Sequence, residues 1–521
     1  MLEIYDTTLR DGSQQEGISL TVVDKLRIAS LLDELGVTYV EGGWPGANPK
    51  DDEFFARARN ELNFANAELV AFGSTRRPTG KVSTDDQLKA LLEADTEVIC
   101  IVGKAWDYHV AEALRIDLAE GVRMVAESIE FLRGHDRRVF FDAEHFFDGW
   151  AGNAGFALEV LKAAHAAGAE RLVLCDTNGG RLPAEVQATV ASVQAELPDA
   201  ELGVHFHNDA GCAVASSLVA VEQGVRQVQG CINGYGERTG NTNLSTLLPD
   251  LALKMNLPIL SPEQLELLSP ISHHIAEVVN ITLDPHHPYV GTSAFTHKAG
   301  LHTSALARRP DAYEHTNPAR VGNHTRMVVS ELAGKASILS KAAELGLEVD
   351  DEFARRIIER VKELEFEGYH FEAADGSFEL LVRSMTGWVQ PYFELESFRV
   401  FTERRGREEV VAEATVKAVV RGGRVVSTGE GVGPVHALDE ALRAALRTAY
   451  PEVDQLRLTD YRVRVIDSND GTESKVRVLL ETADHDDAWG TIGVHGNVIE
   501  ASWEALVEGL VVGLMRLGVE A

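Results

Sequence analysis

About the first 245 residues alternate between two patterns of hydrophobic and polar positions. Short apolar runs are each followed by a polar or glycine-containing turn, and then by a segment whose apolar positions recur at helical spacing. The strand-like runs cover 3–5, 38–41, 68–72, 98–102, 138–143, 171–175, 202–206 and 227–232, and the helical segments include 21–35, 108–133, 154–167 and 183–197. Short strands that alternate with amphipathic helices predict repeated βαβ units and a parallel sheet.

The number of these units favours a closed barrel over an open sheet. Eight units close a (β/α)8 TIM barrel. An open, doubly wound sheet normally carries a glycine-rich phosphate turn after its first strand. Here the first strand leads into the segment 6–12, Asp-Thr-Thr-Leu-Arg-Asp-Gly, instead. We therefore predict an α/β TIM barrel over residues 1–260.

The pattern changes after the predicted barrel. Residues 261–380 are predicted to form a mainly helical linker with a histidine- and proline-rich interruption at 284–288. From about residue 378, strand-like runs such as 413–420 and 475–480 become frequent. The similar stretches 431–435 and 493–497 each precede a helical segment, 437–450 and 500–517 respectively. We therefore expect residues 381–521 to form an α+β domain made of two β-then-α repeats.

Charge and composition argue against several functional classes. Lys and Arg together number 49 and Asp and Glu 81, so the formal net charge is −32. A general nucleic-acid binder and a protein held on anionic lipid both need a positive surface field. No apolar run approaches the roughly 20 residues of a membrane span, and no export signal is visible. The four cysteines form no CxxC pair, which is typical of a reducing compartment. We expect a cytoplasmic protein.

Polar side chains are concentrated where the predicted strands end, at the face where barrel enzymes carry their sites. His205 and His207 lie two apart on one strand, so both imidazoles face the same side and can bind one divalent metal ion. Asp11 on the first loop and Asn241 after the last strand add oxygen ligands. This mixed set leaves positions for a chelating substrate and favours Mg²⁺, Mn²⁺ or Zn²⁺. The alternative is a pair of packing or surface histidines.

Arg10 and Glu144 are the candidates for handling charge and protons. Arg10 keeps its proton and suits an oxygen that becomes negative during a reaction. It could instead form an ion pair with an acid such as Glu144. Glu144, at a strand end beside an aromatic run, is either a proton carrier or a residue that orients Arg10.

Three motifs in barrel order resemble the 2-isopropylmalate synthase, homocitrate synthase and citramalate synthase family. They lie at 6–12, at 205–209 (His-Phe-His-Asn-Asp) and at 236–241 (Gly-Glu-Arg-Thr-Gly-Asn). The stretches 431–434 and 493–503 resemble that family's leucine- or isoleucine-sensing regulatory domain. Within the family, the segments 39–51 and 176–180 are most similar to the citramalate-forming branch.

The resemblance implies an acyltransferase that condenses acetyl-CoA with a 2-oxo acid and then hydrolyses the thioester. The corresponding positions are the metal ligands Asp11, His205, His207 and Asn241, the catalytic Arg10 and Glu144, the substrate-binding Arg10 and Thr177, and the catalytic His302 and Tyr313. In the family, the linker with the last two residues reaches over the neighbouring subunit's barrel, which implies a homodimer. After His302 this chain has Thr303-Ser304 where the family usually has Gln-Asp.

Several functions remain open on the sequence alone. Pyruvate as the 2-oxo acid would give (R)-citramalate for isoleucine synthesis, and 2-oxoisovalerate would give 2-isopropylmalate. A carbon–carbon lyase on a related barrel and a non-catalytic amino-acid sensor are the other two classes. His302 is the candidate for proton transfer, assisted by Tyr313 or Glu144, and the identity of the base stays open. We expect isoleucine, or alternatively leucine, as an effector of residues 381–521.

Overall fold

The computed structural model describes residues 2–521 except 299–301, 303–304, 307, 329–334, 345, 348, 405–409, 467–473 and 486. The chain forms two compact units. The first consists of residues 1–295 and 314–325, and the second of residues 296–313 and 326–521.

A closed barrel of eight parallel strands forms the centre of the first unit. The strands are β1 (Glu3–Asp6), β2 (Tyr39–Gly43), β3 (Glu68–Ser74), β4 (Val98–Lys104), β5 (Arg138–Glu144), β6 (Arg171–Asp176), β7 (Leu202–Phe206) and β8 (Gln227–Gly230). β1 pairs with both β2 and β8, which closes the barrel. Each strand begins within one residue of its predicted start, so the barrel prediction is confirmed.

Helices follow the strands along the first unit. They are Val22–Leu35, Pro49–Glu61, Asp86–Glu93, Asp107–His109, Leu118–Arg133, Phe146–Ala166, Pro183–Glu196, Ala213–Glu222, Leu244–Pro249, Pro262–Glu266 and Leu268–Val279. The single helix predicted over 108–133 is interrupted. A five-residue π-helix ends at Arg115, whose φ of 57° is left-handed, and Asp117 then caps the next helix by accepting from the Glu120 N–H.

Side chains along each strand point alternately into the barrel and out toward the surrounding helices. Val98 and Cys100 on β4 belong to a small buried cluster with Tyr5, Tyr39 and Phe140. The intervening residues of β4 pack into the main core with helix residues. Because side chains on a strand point alternately to opposite faces, the small cluster lies inside the barrel. The interior is therefore packed, and polar groups can gather only toward the strand ends.

The second unit combines helices with two antiparallel sheets. Two short strands, β9 (Thr296–His297) and β10 (Arg326–Met327), precede the helices Lys335–Glu344, Asp351–Glu367 and Asp375–Met385; then follow β11 (Phe393–Arg404), β12 (Val410–Val420), β13 (Gly423–Gly431), the helix Pro434–Leu446, β14 (Arg457–Val465), β15 (Val476–Ala483), β16 (Ala488–His495) and the helix Val498–Arg516. β11–β13 and β14–β16 form separate three-stranded sheets, each followed by a helix. This arrangement confirms the two predicted β-then-α repeats.

The strand-rich part begins later than the sequence pattern predicted. Phe378 lies in the helix Asp375–Met385, and the first long strand starts at Phe393. The reason is that Phe378 and Val382 are four residues apart, lie on one helical face and are both buried in the same hydrophobic cluster.

Within the described residues, no helix combines the length and apolar character required to cross a bilayer.

Candidate active site

The carboxyl ends of β1, β7 and β8 bring the four predicted ligand residues to one edge of the barrel. Asp11 follows β1, His205 lies in β7, and His207 follows directly after it. Asn241 lies in the loop after β8 and forms an isolated antiparallel bridge with His207. All four residues are buried. Their burial excludes the alternative of two surface histidines.

Asp11, His205 and His207 form a compact cluster of potential metal ligands. One ligand atom from each residue lies within 4.8 Å of the other two. The His205 Nε2 is 3.2 Å from the Asp11 Oδ2, and the His207 Nε2 is 3.9 Å from the same oxygen. It is the one such cluster of three or more His, Cys, Asp and Glu residues that the described part of the chain contains.

Two buried atoms beside this cluster have no hydrogen-bond partner among the described residues. They are the Asn241 Oδ1 and the His207 Nδ1. The Asn241 Nδ2 donates to the Tyr235 carbonyl at 3.1 Å, so the amide orientation is set and its oxygen is left over. A buried polar atom without a partner is costly. An oxygen left over beside a carboxylate and two imidazoles fits a divalent cation.

Two hydrogen bonds of the Gln229 side chain inside the barrel set the tautomer of His205. The Gln229 Nε2 donates to the Asp142 Oδ1 at 3.0 Å, so the Gln229 Oε1 faces the His205 Nδ1 at 2.9 Å. The Nδ1 therefore carries a proton, so the Nε2, 3.2 Å from the Asp11 Oδ2, is the nitrogen that can give up its proton to bind a cation. Gln229 and Asp142 were not predicted as site residues, although a glutamine within a buried strand is an unusual residue that could have indicated one.

The electrostatics of the cluster favour an ionised Asp11. Burial alone would raise the pKa of Asp11, but Arg10 and the two histidines outweigh burial and hold it well below the usual range. Burial likewise opposes protonation of His205, but the hydrogen bond and charge of Asp11 raise its pKa. Burial and the neighbouring His205 lower the pKa of His207 to about 4. His207 is therefore a neutral imidazole at physiological pH, which is the form that binds metal ions.

Arg10 is held by Glu41 rather than by Glu144. The Arg10 Nε donates to the Glu41 Oε1 at 2.5 Å, and the Tyr5 hydroxyl donates to the Glu41 Oε2 at 2.6 Å. The Arg10 guanidinium also lies 3.7 Å from the centre of the Phe72 ring, which is a cation–π contact. Burial alone would lower the pKa of Arg10, but Glu41 and Asp11 raise it, so Arg10 stays charged. The suggested ion pair of Arg10 with a nearby acid is present, but its partners are Glu41 and Asp11 and not Glu144.

Glu144 and Thr177 lie on adjacent strand ends. Glu144 ends β5 and forms an ion pair with Lys104, at the end of β4. Thr177 follows β6, and its Oγ1 accepts a hydrogen bond of 2.9 Å from the backbone N–H of His145. The suggestion that Glu144 orients Arg10 is therefore not supported, because the acids that contact Arg10 are Glu41 of β2 and the adjacent Asp11.

One cavity of about 490 Å³ joins these groups. It is lined by Arg10, Asp11, Glu144, Thr177, His205 and His207, among others. The cavity thus contains a cationic side chain, the ligand cluster and a hydroxyl group. Such a combination can bind a small anion that carries a carbonyl group.

His302 and Tyr313 belong to the second unit. Their rings stack at a centroid distance of 4.1 Å with an interplanar angle of 25°. The Tyr313 residue is 48% exposed. The structure therefore brings this predicted pair together within its own unit.

Family models match most of the chain. The HMGL-like model matches residues 1–269, the homocitrate synthase post-HMGL domain-like model matches residues 289–368, and the LeuA allosteric (dimerisation) domain model matches residues 372–513.

Curated relatives align over nearly the whole length. The chain is 53% identical to the (R)-citramalate synthase of Streptomyces coelicolor, over 99% of this chain and 97% of the relative. It is 49% identical to the (R)-citramalate synthase of Aquifex aeolicus, over 98% of both chains. It is 33% identical to the probable 2-isopropylmalate synthase of Methanopyrus kandleri, over 98% of this chain and 97% of the relative. The chain therefore belongs to the HMGL-like family, as an acyltransferase-type enzyme of the branch that contains the (R)-citramalate synthases.

Proposed function

We propose that this enzyme condenses acetyl-CoA with pyruvate and hydrolyses the thioester, giving (R)-citramalate and free CoA. The observation that carries the proposal is the buried cluster of Asp11, His205 and His207, which lines one cavity together with Arg10. Membership of the citramalate synthase branch supports pyruvate as the 2-oxo acid.

We propose that Asp11, His205, His207 and Asn241 hold a divalent cation, Mg²⁺, Mn²⁺ or Zn²⁺. When bound, such an ion supplies Lewis acidity, which makes the ketone carbon of the oxo acid more electrophilic and offsets the charge that develops on its oxygen. Support comes from the unpartnered oxygen of Asn241 and from the tautomer of His205.

Thr177 and Arg10 are proposed to bind the two substrates. The Thr177 Oγ1 already accepts one hydrogen bond, so its proton is available for the carboxylate of the oxo acid. Arg10 is proposed to stabilise the enolate oxygen that forms when the acetyl methyl group loses a proton. The charge of Arg10 is present before the reaction, because Glu41 and Asp11 keep it protonated.

The proposed reaction needs one base and one water molecule. The base takes a methyl proton of acetyl-CoA, and the resulting carbanion forms the carbon–carbon bond to the ketone carbon. The alkoxide then gains a proton, and water cleaves the thioester to release the thiol. His302, assisted by Tyr313 or Glu144, is the proposed proton-transfer group, and positioned groups of this kind typically contribute about 10²–10⁴-fold.

We further propose a catalytic barrel at 1–260, a linker at 261–380 that completes the site of the neighbouring subunit in a homodimer, and a regulatory domain at 381–521. Isoleucine is the proposed effector of this last part, and leucine is the alternative. The match to the LeuA allosteric (dimerisation) domain supports both the dimer and the regulatory role.

Release of free thiol from acetyl-CoA tests the proposal directly. We expect thiol release that depends on pyruvate and is much faster than with 2-oxoisovalerate. Faster release with 2-oxoisovalerate would instead favour 2-isopropylmalate synthesis. Cleavage of a hydroxyacyl-CoA without condensation would favour a lyase, and no turnover in any assay would favour a sensor.

A further inference from the structure

The hydroxyl group of Thr177 depends on an unusual backbone conformation at His145. The His145 N–H donates to the Thr177 Oγ1 at 2.9 Å. His145 has φ 55° and ψ 32°, in the left-handed region, directly after Glu144. A non-glycine residue in this region carries conformational strain, which persists only where the surroundings enforce it.

Asp148 contacts the side chain of His145. It lies in the first turn of the helix Phe146–Ala166, and its Oδ2 is 3.3 Å from the His145 Nδ1. The His145 ring also contacts the His109 ring, at a centroid distance of 4.3 Å and an interplanar angle of 68°. The imidazole is therefore held by a carboxylate and by a second ring.

The same carboxylate also holds the loop that follows β6. The Asn178 Nδ2 donates to the Asp148 Oδ2 at 2.8 Å, and the Arg181 Nη2 donates to the Asp148 Oδ1 at 2.8 Å. Hydrogen bonds from His145, Arg181 and Asn178 lower the pKa of Asp148 to about 2. Asp148 therefore stays ionised and links His145, directly after β5, to the loop after β6 that carries Thr177.

We infer that Asp148 is a positioning residue for the 2-oxo acid: it fixes His145 and the β6 loop together, so that the Thr177 hydroxyl points its proton to the substrate carboxylate. Asp148 is not among the residues that line the cavity, so it acts through Thr177. This inference rests on the proposed function, because the carboxylate that Thr177 binds belongs to the proposed substrate.

A double-mutant cycle with Asp148→Ala and Thr177→Ala tests the inference by steady-state thiol release. Each single variant should raise the KM for pyruvate about tenfold, the effect of one hydrogen bond to a charged group. Both should leave the KM for acetyl-CoA within about twofold. The double variant should be no worse than Thr177→Ala, because Asp148 acts through that hydroxyl.

Two further variants serve as controls. Asp148→Asn keeps the shape of the side chain, and should raise the KM for pyruvate less than Asp148→Ala does; it also carries the test if Asp148→Ala does not fold. Glu185→Gln removes the other acidic partner of the Arg181 guanidinium, since the Glu185 Oε1 lies 3.6 Å from the Arg181 Nη1. This variant should leave all kinetic constants unchanged.

The inference would be overturned if the increases in the KM for pyruvate of the two single variants multiplied in the double variant. It would also be overturned if Asp148→Ala raised the KM for pyruvate and the KM for acetyl-CoA equally. Unchanged kinetics of both Asp148 variants in an active enzyme would overturn the inference alone. If the wild-type enzyme releases no thiol with pyruvate, the proposed function fails and the inference fails with it.

Discussion

Glu41 is the residue that determines how Arg10 is presented to the cavity. Its two carboxylate oxygens accept from Arg10 and from the Tyr5 hydroxyl, and the residue is fully buried. Removing one charge of a buried pair costs more than the pair itself contributes, because the remaining charge loses compensation. Without Glu41, Arg10 would keep only Asp11, 3.3 Å from its Nη1.

Glu41→Gln is therefore expected to lower the free energy of unfolding by about 3 kcal/mol, measured by urea denaturation. Glu196→Gln is the matched control, since its ion pair with Lys162 has both side chains about half exposed. The control should change stability by less than about 1 kcal/mol. Equal losses in the two variants would show that Glu41 is not an essential partner of Arg10.

Gln229 should tune metal binding without touching the metal, because it holds the proton on the His205 Nδ1. We expect Gln229→Leu to weaken the binding of Mn²⁺ or Zn²⁺ about 10–100-fold in competition with a chelator. Gln194→Leu, at a glutamine whose side chain donates to the Gln223 carbonyl, should bind the metal normally. Unchanged affinity in Gln229→Leu would contradict the assigned tautomer.

At the scale of elements, the helix Val498–Arg516 contains a glutamic acid, Glu508, that contacts a second helix. Glu508 accepts a hydrogen bond from Ser377 of the helix Asp375–Met385, and burial raises the pKa of Glu508 to about 7. A glutamic acid in an unfolded chain titrates near ~4.3. The folded protein thus binds this proton more tightly than the unfolded chain does. The contribution of Glu508 to the free energy of unfolding is therefore fully present below about pH 4 and is lost as the pH rises through 7.

We therefore expect Glu508→Gln, which cannot ionise, to gain stability relative to wild type between pH 5 and pH 8, by up to about 2 kcal/mol. Calorimetric melting at several pH values measures the difference. Glu500→Gln, in the first turn of the same helix, is the control for removing one negative charge from this helix. A pH-independent difference for Glu508→Gln would show that this carboxyl does not titrate in that range.

The elements also show which features a sequence can predict. The barrel strands were predictable because each is a short apolar run between a helix and a turn. The pairing of His205 and His207 was predictable because side chains two residues apart on a strand lie on the same side. The contacts that Glu41, Gln229 and Asp142 make were not predictable. These contacts depend on which buried strands become neighbours and which rotamers fit, and single-strand patterns do not contain that information.

At the scale of the whole molecule, the chain divides into a barrel unit and a second unit that carries His302 and Tyr313. If these residues act on the neighbouring subunit's barrel, two inactive variants can complement each other. Co-expressed Asp11→Ala and His302→Ala should recover about a quarter of the wild-type activity, since half of the dimers are mixed and each has one intact site.

Asp11→Ala co-expressed with His205→Ala is the control for complementation. Both changes lie in the barrel, so every site of a mixed dimer carries one of them and no activity should return. Zero activity in the mixture of Asp11→Ala and His302→Ala as well would show that each chain uses its own His302.

The central claim is that a divalent cation bound by Asp11, His205, His207 and Asn241 is required for condensation. The most direct measurement is pyruvate-dependent thiol release by the full-length enzyme before and after chelator treatment, with metal content determined in parallel. We expect a loss of at least about a hundredfold and recovery as one equivalent of Mg²⁺, Mn²⁺ or Zn²⁺ per chain is restored, with no recovery in His207→Ala. Undiminished turnover by metal-free enzyme would show that condensation does not need the cation.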